Sequence, residues 1–155
     1  MVCYIGIGSN IGNRFAYIRE ALGLLEGKRA ILIKKISDIY ETKPEGGPGG
    51  QRNYLNLAVK LETGLRPLEL LSELRDIERR CGRKARAARW AAREIDLDVL
   101  FYGSRLIDEK MLKVPHPLMH KRSFVLRPLS DIAPGFMHPV LKKSIKVLLG
   151  ALTVK

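Results

Sequence analysis

RWAAREIDLDVLF, residues 89–101, is the stretch on which the interpretation of this chain rests. Its second half alternates apolar residues with Asp96 and Asp98, the period-2 pattern of a β-strand with two different faces. Alternation places both carboxylates on one face, about 7 Å apart. A divalent cation would offset the charge of two carboxylates held among apolar residues. We therefore interpret them as ligands of Mg²⁺, which prefers oxygen and often takes one or two carboxylates.

The segment before this strand is strongly basic. It contains Arg83, Lys84, Arg86, Arg89 and Arg93. An Asp-x-Asp pair alone is weak evidence, because both side chains are usually solvated on an exposed sheet face. Cations beside the pair favour a site for a metal and a polyphosphate over a solvated face.

Length and composition restrict the class of protein. The 155 residues fit a single domain, residues 1–155, and the 28 basic and 16 acidic side chains give a net charge of +12. That charge admits a nucleic acid, an anionic membrane surface or a small anionic substrate as partner. Cys3 and Cys81 are too few for a disulfide framework and indicate a reducing compartment. No signal peptide or membrane-length apolar run is visible, so we expect a soluble, cytoplasmic protein.

Hydrophobic spacing predicts an α+β fold. Strands are predicted over residues 2–7, 31–40, 54–62 and 95–102. Helices are predicted over residues 14–25, from Pro67 onward with a buried stripe beginning at Leu68, and over residues 141–149. Residues 123–129 are predicted as a short helix or turn. The glycine-rich segment 42–52 is consistent with a flexible hairpin connection or with a lid over a site, and composition does not separate these alternatives.

Two other motifs carry no chemistry of their own. Gly6-x-Gly8 lies within a strand and lacks the third glycine of a dinucleotide-binding turn. His116 and His120 have the spacing of a zinc pair, but Pro117 intervenes and no acidic general base is adjacent. A structural or phosphate-contacting role is the more reasonable interpretation of each histidine.

Several stretches together resemble one known family. They are YIGIGSN at residues 4–10, YLNLAV at 54–59, RWAAREIDLDVL at 89–100, VPH at 114–116 and RSFVLRPL at 122–129. The long run at 89–100 resembles the signature of the 6-hydroxymethyl-7,8-dihydropterin pyrophosphokinases of folate biosynthesis. The resemblance extends over nearly the whole chain. It implies a ferredoxin-like core, an antiparallel sheet with helices packed on it, and mobile active-site loops.

The resemblance also implies an activity and its residues. Pyrophosphate is transferred from ATP to the pterin hydroxymethyl group, releasing AMP, with Asp96 and Asp98 holding two Mg²⁺ ions. Arg83 and Arg93 are implied as catalytic residues. The implied nucleotide-binding residues are Glu78, Arg86, Arg89, Trp90, His116 and Arg122. The implied pterin-binding residues are Thr42, Tyr54, Asn56, Asp96 and Phe124, with Tyr54 and Phe124 enclosing the ring.

Two alternatives come from other function classes. A nucleic-acid-binding module would use the +12 charge and the basic residues between 75 and 93 against phosphates. That interpretation leaves Asp96 and Asp98 without a role. A glycosidase also uses paired carboxylates, but arginine-rich surroundings argue against a sugar cleft. We expect a monomer that acts on ATP and a pterin, with no nucleic-acid or membrane partner.

Overall fold

The computed structural model describes residues 1–44, 49–82 and 93–153. Its strands are β1 (Val2–Ser9), β2 (Ile31–Ile36), β3 (Tyr40–Thr42), β4 (Tyr54–Thr63), β5 (Asp96–Tyr102), β6 (Ile107–Asp108) and β7 (Lys113–Val114). Its helices are α1 (Arg14–Glu26), α2 (Pro67–Arg80), α3 (Ser123–Ile132) and α4 (Ile145–Thr153), and a 3₁₀ turn occupies Met119–Lys121.

The main sheet has the strand order β2-β4-β1-β5, and β3 continues beside β4. Its pairings are antiparallel. With α1 between β1 and β2, and α2 between β4 and β5, this is the β-α-β-β-α-β arrangement of the ferredoxin-like fold. The predicted α+β class and ferredoxin-like core are therefore confirmed.

Helices α1 and α2 pack on one face of the sheet and form the larger core. The Asn13 side chain accepts a hydrogen bond from Ala16 N at 3.1 Å and caps the start of α1. Pro67 opens α2 as predicted, and Gly82, at φ +89°, follows its end. The predicted α2 stripe is wrong at Leu68, which is 47% exposed. Leu70, two residues further along the helix, is buried instead.

Helices α3 and α4 cover part of the opposite face and enclose a second core. Tyr4, Phe101 and Phe136 meet edge-on or tilted in this core, with ring centroids 4.6–6.2 Å apart. Phe124, the second residue of α3, lines a cavity on the same face of the sheet. The packing of α3 therefore sets one wall of that cavity.

The single strand predicted over residues 31–40 is wrong. β2 ends at Ile36 and β3 begins at Tyr40. Between them, Ser37 Oγ accepts the Ala58 backbone N–H at 2.8 Å, while Ser37 N donates to Ala58 O at 2.9 Å. A hydroxyl thus replaces a carbonyl in the pairing with β4, and the chain leaves the regular ladder.

The alternation predicted along β5 holds only as far as Val99. Ile5 pairs with Val99 but Tyr4 pairs with Phe101, so Leu100 is an additional residue in the strand. Such a bulge reverses the facing of the residues that follow. Phe101 accordingly packs with Tyr4 in the second core, although simple alternation assigns it to the face of Val99.

Residues 45–48 and 83–92 lie outside the described residues. The prediction of mobile active-site loops falls on them and stays a prediction, as does the choice between a hairpin connection and a lid. Among the described helices, none has both the length and the apolar character needed to cross a bilayer.

Candidate active site

A cavity of about 330 Å³ opens on the sheet face that also carries α3. Its lining brings together predicted site residues from five separate parts of the chain. These are Thr42, Tyr54, Asn56, Arg93, Asp96, Asp98, His116, Arg122 and Phe124. Residues that sequence reasoning did not assign to a site also line it, among them Gly6, Gly8, Lys43, Leu100 and Leu118.

Two glycines of the central strand form the floor. Gly8 pairs with Asn56 on one side and Asp96 on the other, and Gly6 pairs with Ala58 and Asp98. A Cβ at Gly8 would lie 3.0 Å from Asn56 Oδ1 and 3.5 Å from the Tyr54 ring. The missing side chains therefore create the space between strands β4 and β5. The available sequence signal was glycine at alternate positions of a strand whose other residues are mostly apolar.

Asp96 and Asp98 face the cavity from β5, as the alternation predicts, and both are half-buried. Burial raises the pKa of the Asp98 carboxyl, and the neighbouring charge of Asp96 raises it further. The positive charge of Arg75 acts in the opposite direction. Two carboxylates at this spacing therefore disfavour full ionisation unless a cation lies between or beside them.

The carboxylate pair has the chemistry of a magnesium site. No group of three or more His, Cys, Asp or Glu side chains is placed to hold a metal within residues 1–44, 49–82 and 93–153. The protein would thus supply the two carboxylates, and water and phosphate oxygens would complete the coordination, which is the usual arrangement for Mg²⁺.

Arg93 is held just before β5 by Asn10, a residue to which the sequence pattern assigns no site role. Asn10 is 1% exposed. Its backbone N donates to Arg93 O at 3.2 Å, and its Oδ1 accepts from Arg93 N at 2.8 Å. The guanidinium of Arg93 in turn lies 3.4 Å from Asp96 Oδ1. The arginine and the carboxylate pair are therefore fixed relative to one another.

Glu78 lies behind the carboxylate strand and is not among the residues that line the cavity. It is 2% exposed, and its Oε2 accepts from Leu97 N at 2.8 Å and from Arg75 Nη1 at 2.8 Å. Arg75 also donates to Leu97 O at 2.9 Å. Both groups thus brace the residue between Asp96 and Asp98 against α2. The nucleotide-binding role of Glu78 stays a prediction.

The opposite side of the cavity is aromatic and amide-lined. Tyr54 stands at the start of β4 and Phe124 in the first turn of α3. The Arg122 guanidinium lies 5.6 Å from the centroid of the Phe124 ring. Asn56 Nδ2 donates to Thr42 Oγ1 at 2.6 Å, which orients the Asn56 carbonyl oxygen and leaves an amide edge for a polar ring.

His116 lines the cavity together with Arg122 and the carboxylate pair. Its backbone N donates to Leu100 O at 3.1 Å, and its Nδ1 accepts from Leu118 N at 3.4 Å. Burial lowers the pKa of His116, and the charge of Arg122 lowers it further, against an opposing effect of Asp96. A neutral imidazole with its proton on Nε2 satisfies these contacts, so this side chain can donate a hydrogen bond to an anion without carrying a charge.

Arg83, Arg86, Arg89 and Trp90 lie outside the described residues. Their catalytic and nucleotide-binding roles stay predictions.

Solved structures share this architecture. Plasmodium falciparum HPPK-DHPS, a triple mutant crystallised with STZ-DHP, has a TM-score of 0.76 at 16% identity over 97% of this chain and 43% of its own. The wild-type protein with pteroate gives a TM-score of 0.77 at 18% identity over 97% of this chain and 42% of its own. This chain therefore spans less than half of those proteins, and at such identity the likeness shows the fold.

Sequence comparison is more specific. The enzyme named 2-amino-4-hydroxy-6-hydroxymethyldihydropteridine pyrophosphokinase in Aquifex aeolicus is 44% identical over 143 residues, 92% of this chain and 87% of its own. The enzyme of that name in Bacillus subtilis is 45% identical over 131 residues, 84% of this chain and 77% of its own. A family model described as 7,8-dihydro-6-hydroxymethylpterin-pyrophosphokinase (HPPK) matches residues 4–134. The chain therefore belongs to the 7,8-dihydro-6-hydroxymethylpterin-pyrophosphokinase family.

Proposed function

We propose that this cavity is where the chain carries out the reaction of its family, transferring pyrophosphate from ATP to 6-hydroxymethyl-7,8-dihydropterin and releasing AMP. The observation that carries the proposal is the division of one cavity into two chemically different sides. Tyr54, Asn56 and Phe124 lie on the aromatic, amide-lined side, while Asp96 and Asp98 lie on the charged side. A flat heterocycle and a metal-bound polyphosphate require these two environments side by side.

The aromatic side suits the pterin. Its ring would stack between Tyr54 and Phe124, where aromatic contacts contribute about 0.5–1.5 kcal/mol beyond the burial of area. The hydrogen bond from Asn56 Nδ2 to Thr42 Oγ1 fixes the amide, so its oxygen is available to a ring N–H. The glycine floor at Gly8 admits the ring close to the backbone of β1.

The charged side suits the triphosphate. Asp96 and Asp98 would hold Mg²⁺, and we infer two ions, as the family resemblance implies. Magnesium held there would neutralise phosphate charge and so favour the approach of the pterin hydroxyl oxygen to the phosphate. The half-burial of both carboxylates and the raised pKa of Asp98 support a cation here, since a bound cation would offset both effects.

The side chains around the phosphates have positioning and electrostatic roles. Arg93 and Arg122 line the same cavity as the carboxylate pair and can neutralise charge that develops on the transferred group. The Nε2–H of His116 can orient a phosphate oxygen. Pyrophosphoryl transfer needs little covalent participation from the protein, and the described cavity offers orientation and charge instead.

We further infer that the chain works as a cytoplasmic monomer on ATP and the pterin, without a nucleic-acid or membrane partner. A concave cavity with an aromatic side accounts for small ligands better than for a duplex or a bilayer surface. Its basic residues would then serve the nucleotide phosphates. Analytical ultracentrifugation, together with RNA binding measured in a salt titration, tests these inferences.

Calorimetry of each ligand alone tests the assignment of the two sides. Phe124→Ala should weaken pterin binding about tenfold or more and leave Mg-ATP binding within about twofold. Asp98→Asn should do the reverse. Phe15→Ala is the matched control, because Phe15 is 54% exposed on α1 and outside the cavity lining.

A larger loss of nucleotide affinity than of pterin affinity in Phe124→Ala would contradict the proposed orientation. Equal losses in Phe15→Ala would show that the variants report on the fold and not on the cavity.

A further inference from the structure

A hydrogen-bonded pair outside the cavity joins the two elements that carry its pterin side. The hydroxyl of Tyr40 on β3 lies 2.8 Å from Asp131 Oδ2 and 2.9 Å from Asp131 Oδ1, near the end of α3. Asp38 N also donates to Asp131 Oδ2, at 3.3 Å. The carboxylate thus accepts hydrogen bonds both from β3 and from the connection that precedes β3. Neither Tyr40 nor Asp131 lines the cavity.

The periodicity of both elements relates this pair to the site. Asp131 follows Phe124 by seven residues, two helical turns, which places them on the same side of α3. Tyr40 precedes Thr42 by two residues, which places them on the same side of β3. The two elements therefore meet at Tyr40 and Asp131, and the same two surfaces continue to Phe124 and Thr42 in the cavity lining.

The contact is specific in its chemistry. Tyr40 pairs with Asn56 in the sheet, and Asn56 in turn donates to Thr42 Oγ1 at 2.6 Å. The hydrogen bond to Asp131 raises the pKa of the Tyr40 hydroxyl, as donation to a carboxylate does. A carboxylate in the last turn of a helix faces the negative end of the helix dipole, so Asp131 gains nothing from its position in α3 itself. Its favourable contacts described above come from the strand side.

We propose that Tyr40 and Asp131 are positioning residues for the pterin: their hydrogen bond sets the distance between α3 and β3, and thereby the width of the slot between Phe124 and the Thr42–Asn56 edge. This inference rests on the proposed function, because it takes the pterin to lie on that side. The pair acts on the two elements that carry the ring-facing residues, and of the residues assigned to the phosphates only Arg122 adjoins α3. Its main effect is therefore on affinity for the pterin, with a smaller effect on the nucleotide.

The test compares Tyr40→Phe, Asp131→Ala and the double variant in the full chain. Tyr40→Phe removes one hydroxyl and keeps the ring. Asp131→Ala introduces the residue with the highest helix propensity, so α3 is not weakened by the change itself. Each single variant should raise the Kd for the pterin about three- to tenfold, because a smaller fraction of the free protein then holds the slot at the width that accepts the ring, and leave the Kd for Mg-ATP within about twofold.

Two further results distinguish positioning from general stability. The double variant should bind the pterin no more weakly than Asp131→Ala alone, because the Tyr40 hydroxyl acts only through the Asp131 carboxylate. Asp131→Asn keeps an acceptor for the Tyr40 hydroxyl and should restore most of the affinity. Asp108→Ala is the control, since Asp108 is an exposed carboxylate paired with Lys113 on a different pair of strands.

An unchanged pterin Kd in Tyr40→Phe overturns the inference, and so do additive effects in the double variant or equal weakening of both ligands. Phe124→Ala, measured in parallel, distinguishes an error in the positioning role from an error in the proposed pterin site. If Phe124→Ala weakens pterin binding and Tyr40→Phe does not, the positioning role is wrong and the proposed site stands. If neither variant weakens it, the proposed pterin site is wrong as well. Should Asp131→Ala fail to fold, Tyr40→Phe and Asp131→Asn decide the question.

Discussion

Asn10 and Arg93 hold each other through two hydrogen bonds, Asn10 N to Arg93 O at 3.2 Å and Arg93 N to Asn10 Oδ1 at 2.8 Å. The Asn10 amide also donates to Gln51 Oε1 at 2.9 Å and to Arg52 O at 3.3 Å. One buried side chain therefore joins the end of the glycine-rich segment 42–52 to Arg93, three residues before β5 begins.

This relationship predicts the effect of Asn10→Ala. The change leaves the partly buried Arg93 N–H without its acceptor, which should lower the free energy of unfolding by about 1–3 kcal/mol. Displacement of Arg93 relative to Asp96 should also lower the single-turnover rate roughly tenfold to a hundredfold. Urea unfolding and rapid-quench kinetics measure the two effects. In the Arg93→Ala background, most of the kinetic effect of Asn10→Ala should disappear, and a fully retained effect would show that Asn10 acts through other residues.

Asp96→Asn and Asp98→Asn should each remove most activity and leave the fold intact. Both changes keep the shape of the side chain and remove a charge from the proposed magnesium site. Turnover measured across a range of Mg²⁺ concentrations should show a higher requirement for the metal in both variants. Asp108→Asn, on the short strand β6, is the control. Near-normal turnover of either cavity variant at low Mg²⁺ would show that these carboxylates are not the metal ligands.

Arg93→Ala should lower kcat far more than it raises the dissociation constant for Mg-ATP. The reason is that the Arg93 charge stabilises the transition state more than the bound nucleotide. Losing about 3–4 kcal/mol of transition-state stabilisation lowers the rate roughly a hundredfold or more. Single-turnover transfer beside equilibrium nucleotide binding separates the two quantities. A weaker nucleotide affinity with an unchanged rate at saturation would make Arg93 a ground-state anchor.

Gly8→Ala and Gly23→Ala introduce the same methyl group at a crowded and at an open position. The Cβ at position 8 would lie 3.0 Å from Asn56 Oδ1 on the cavity floor, so pterin affinity should fall by about tenfold or more. Position 23 lies inside α1 with nothing within 4 Å of a new Cβ, so alanine there should raise the free energy of unfolding by about 0.5–1 kcal/mol and leave both ligands unaffected. Equal ligand affinities in the two variants would show that Gly8 does not form the floor of the pterin site.

His138 should make stability depend on pH outside the cavity. Its Nδ1 accepts from Val140 N at 3.2 Å and from Leu141 N at 3.1 Å, and burial, aided by the charge of His120, lowers the pKa of His138. A lowered pKa means that the unfolded chain binds this proton more readily. The contribution is therefore present above pH 6.5, the ordinary value, and is lost as the pH falls through the folded-state pKa.

Urea unfolding between pH 7.5 and 5.5 measures this dependence. His138→Asn is the informative variant, because its amide oxygen can replace Nδ1 as the acceptor and does not titrate. The stability of this variant should fall less over that range than that of the wild type. Identical pH profiles would place the dependence on other groups.

The sequence was most informative where local pattern and chemistry coincide. Alternation in β5 places Asp96, Asp98 and Leu100 on one face, and the structure brings these residues to the cavity. The alternation predicts the wrong face for the next residue, Phe101, because the bulge opposite Tyr4 and Ile5 depends on how β1 pairs with β5. A pairing irregularity of this kind involves a partner strand more than ninety residues away, which local periodicity does not contain.

Tertiary partners account for the other differences. Ser37 breaks the strand predicted over residues 31–40 because its hydroxyl meets Ala58, and Asn10 gains its role only when Arg93 is brought beside it. Glu78 shows the limit of carrying roles over by resemblance. The resemblance points to this residue, but the hydrogen bond that its carboxylate accepts from Leu97 N depends on the packing of α2 against β5.

The most direct measurement of the central claim is the fate of labelled ATP. The protein is incubated with Mg²⁺, 6-hydroxymethyl-7,8-dihydropterin and ATP carrying separate labels on its β- and γ-phosphates. The account predicts that AMP and the pterin diphosphate form in equal amounts, that both labels reach the pterin, and that Asp96→Asn abolishes most of the transfer. Formation of ADP with only the γ-label on the pterin, or consumption of ATP at the same rate without the pterin, would contradict it.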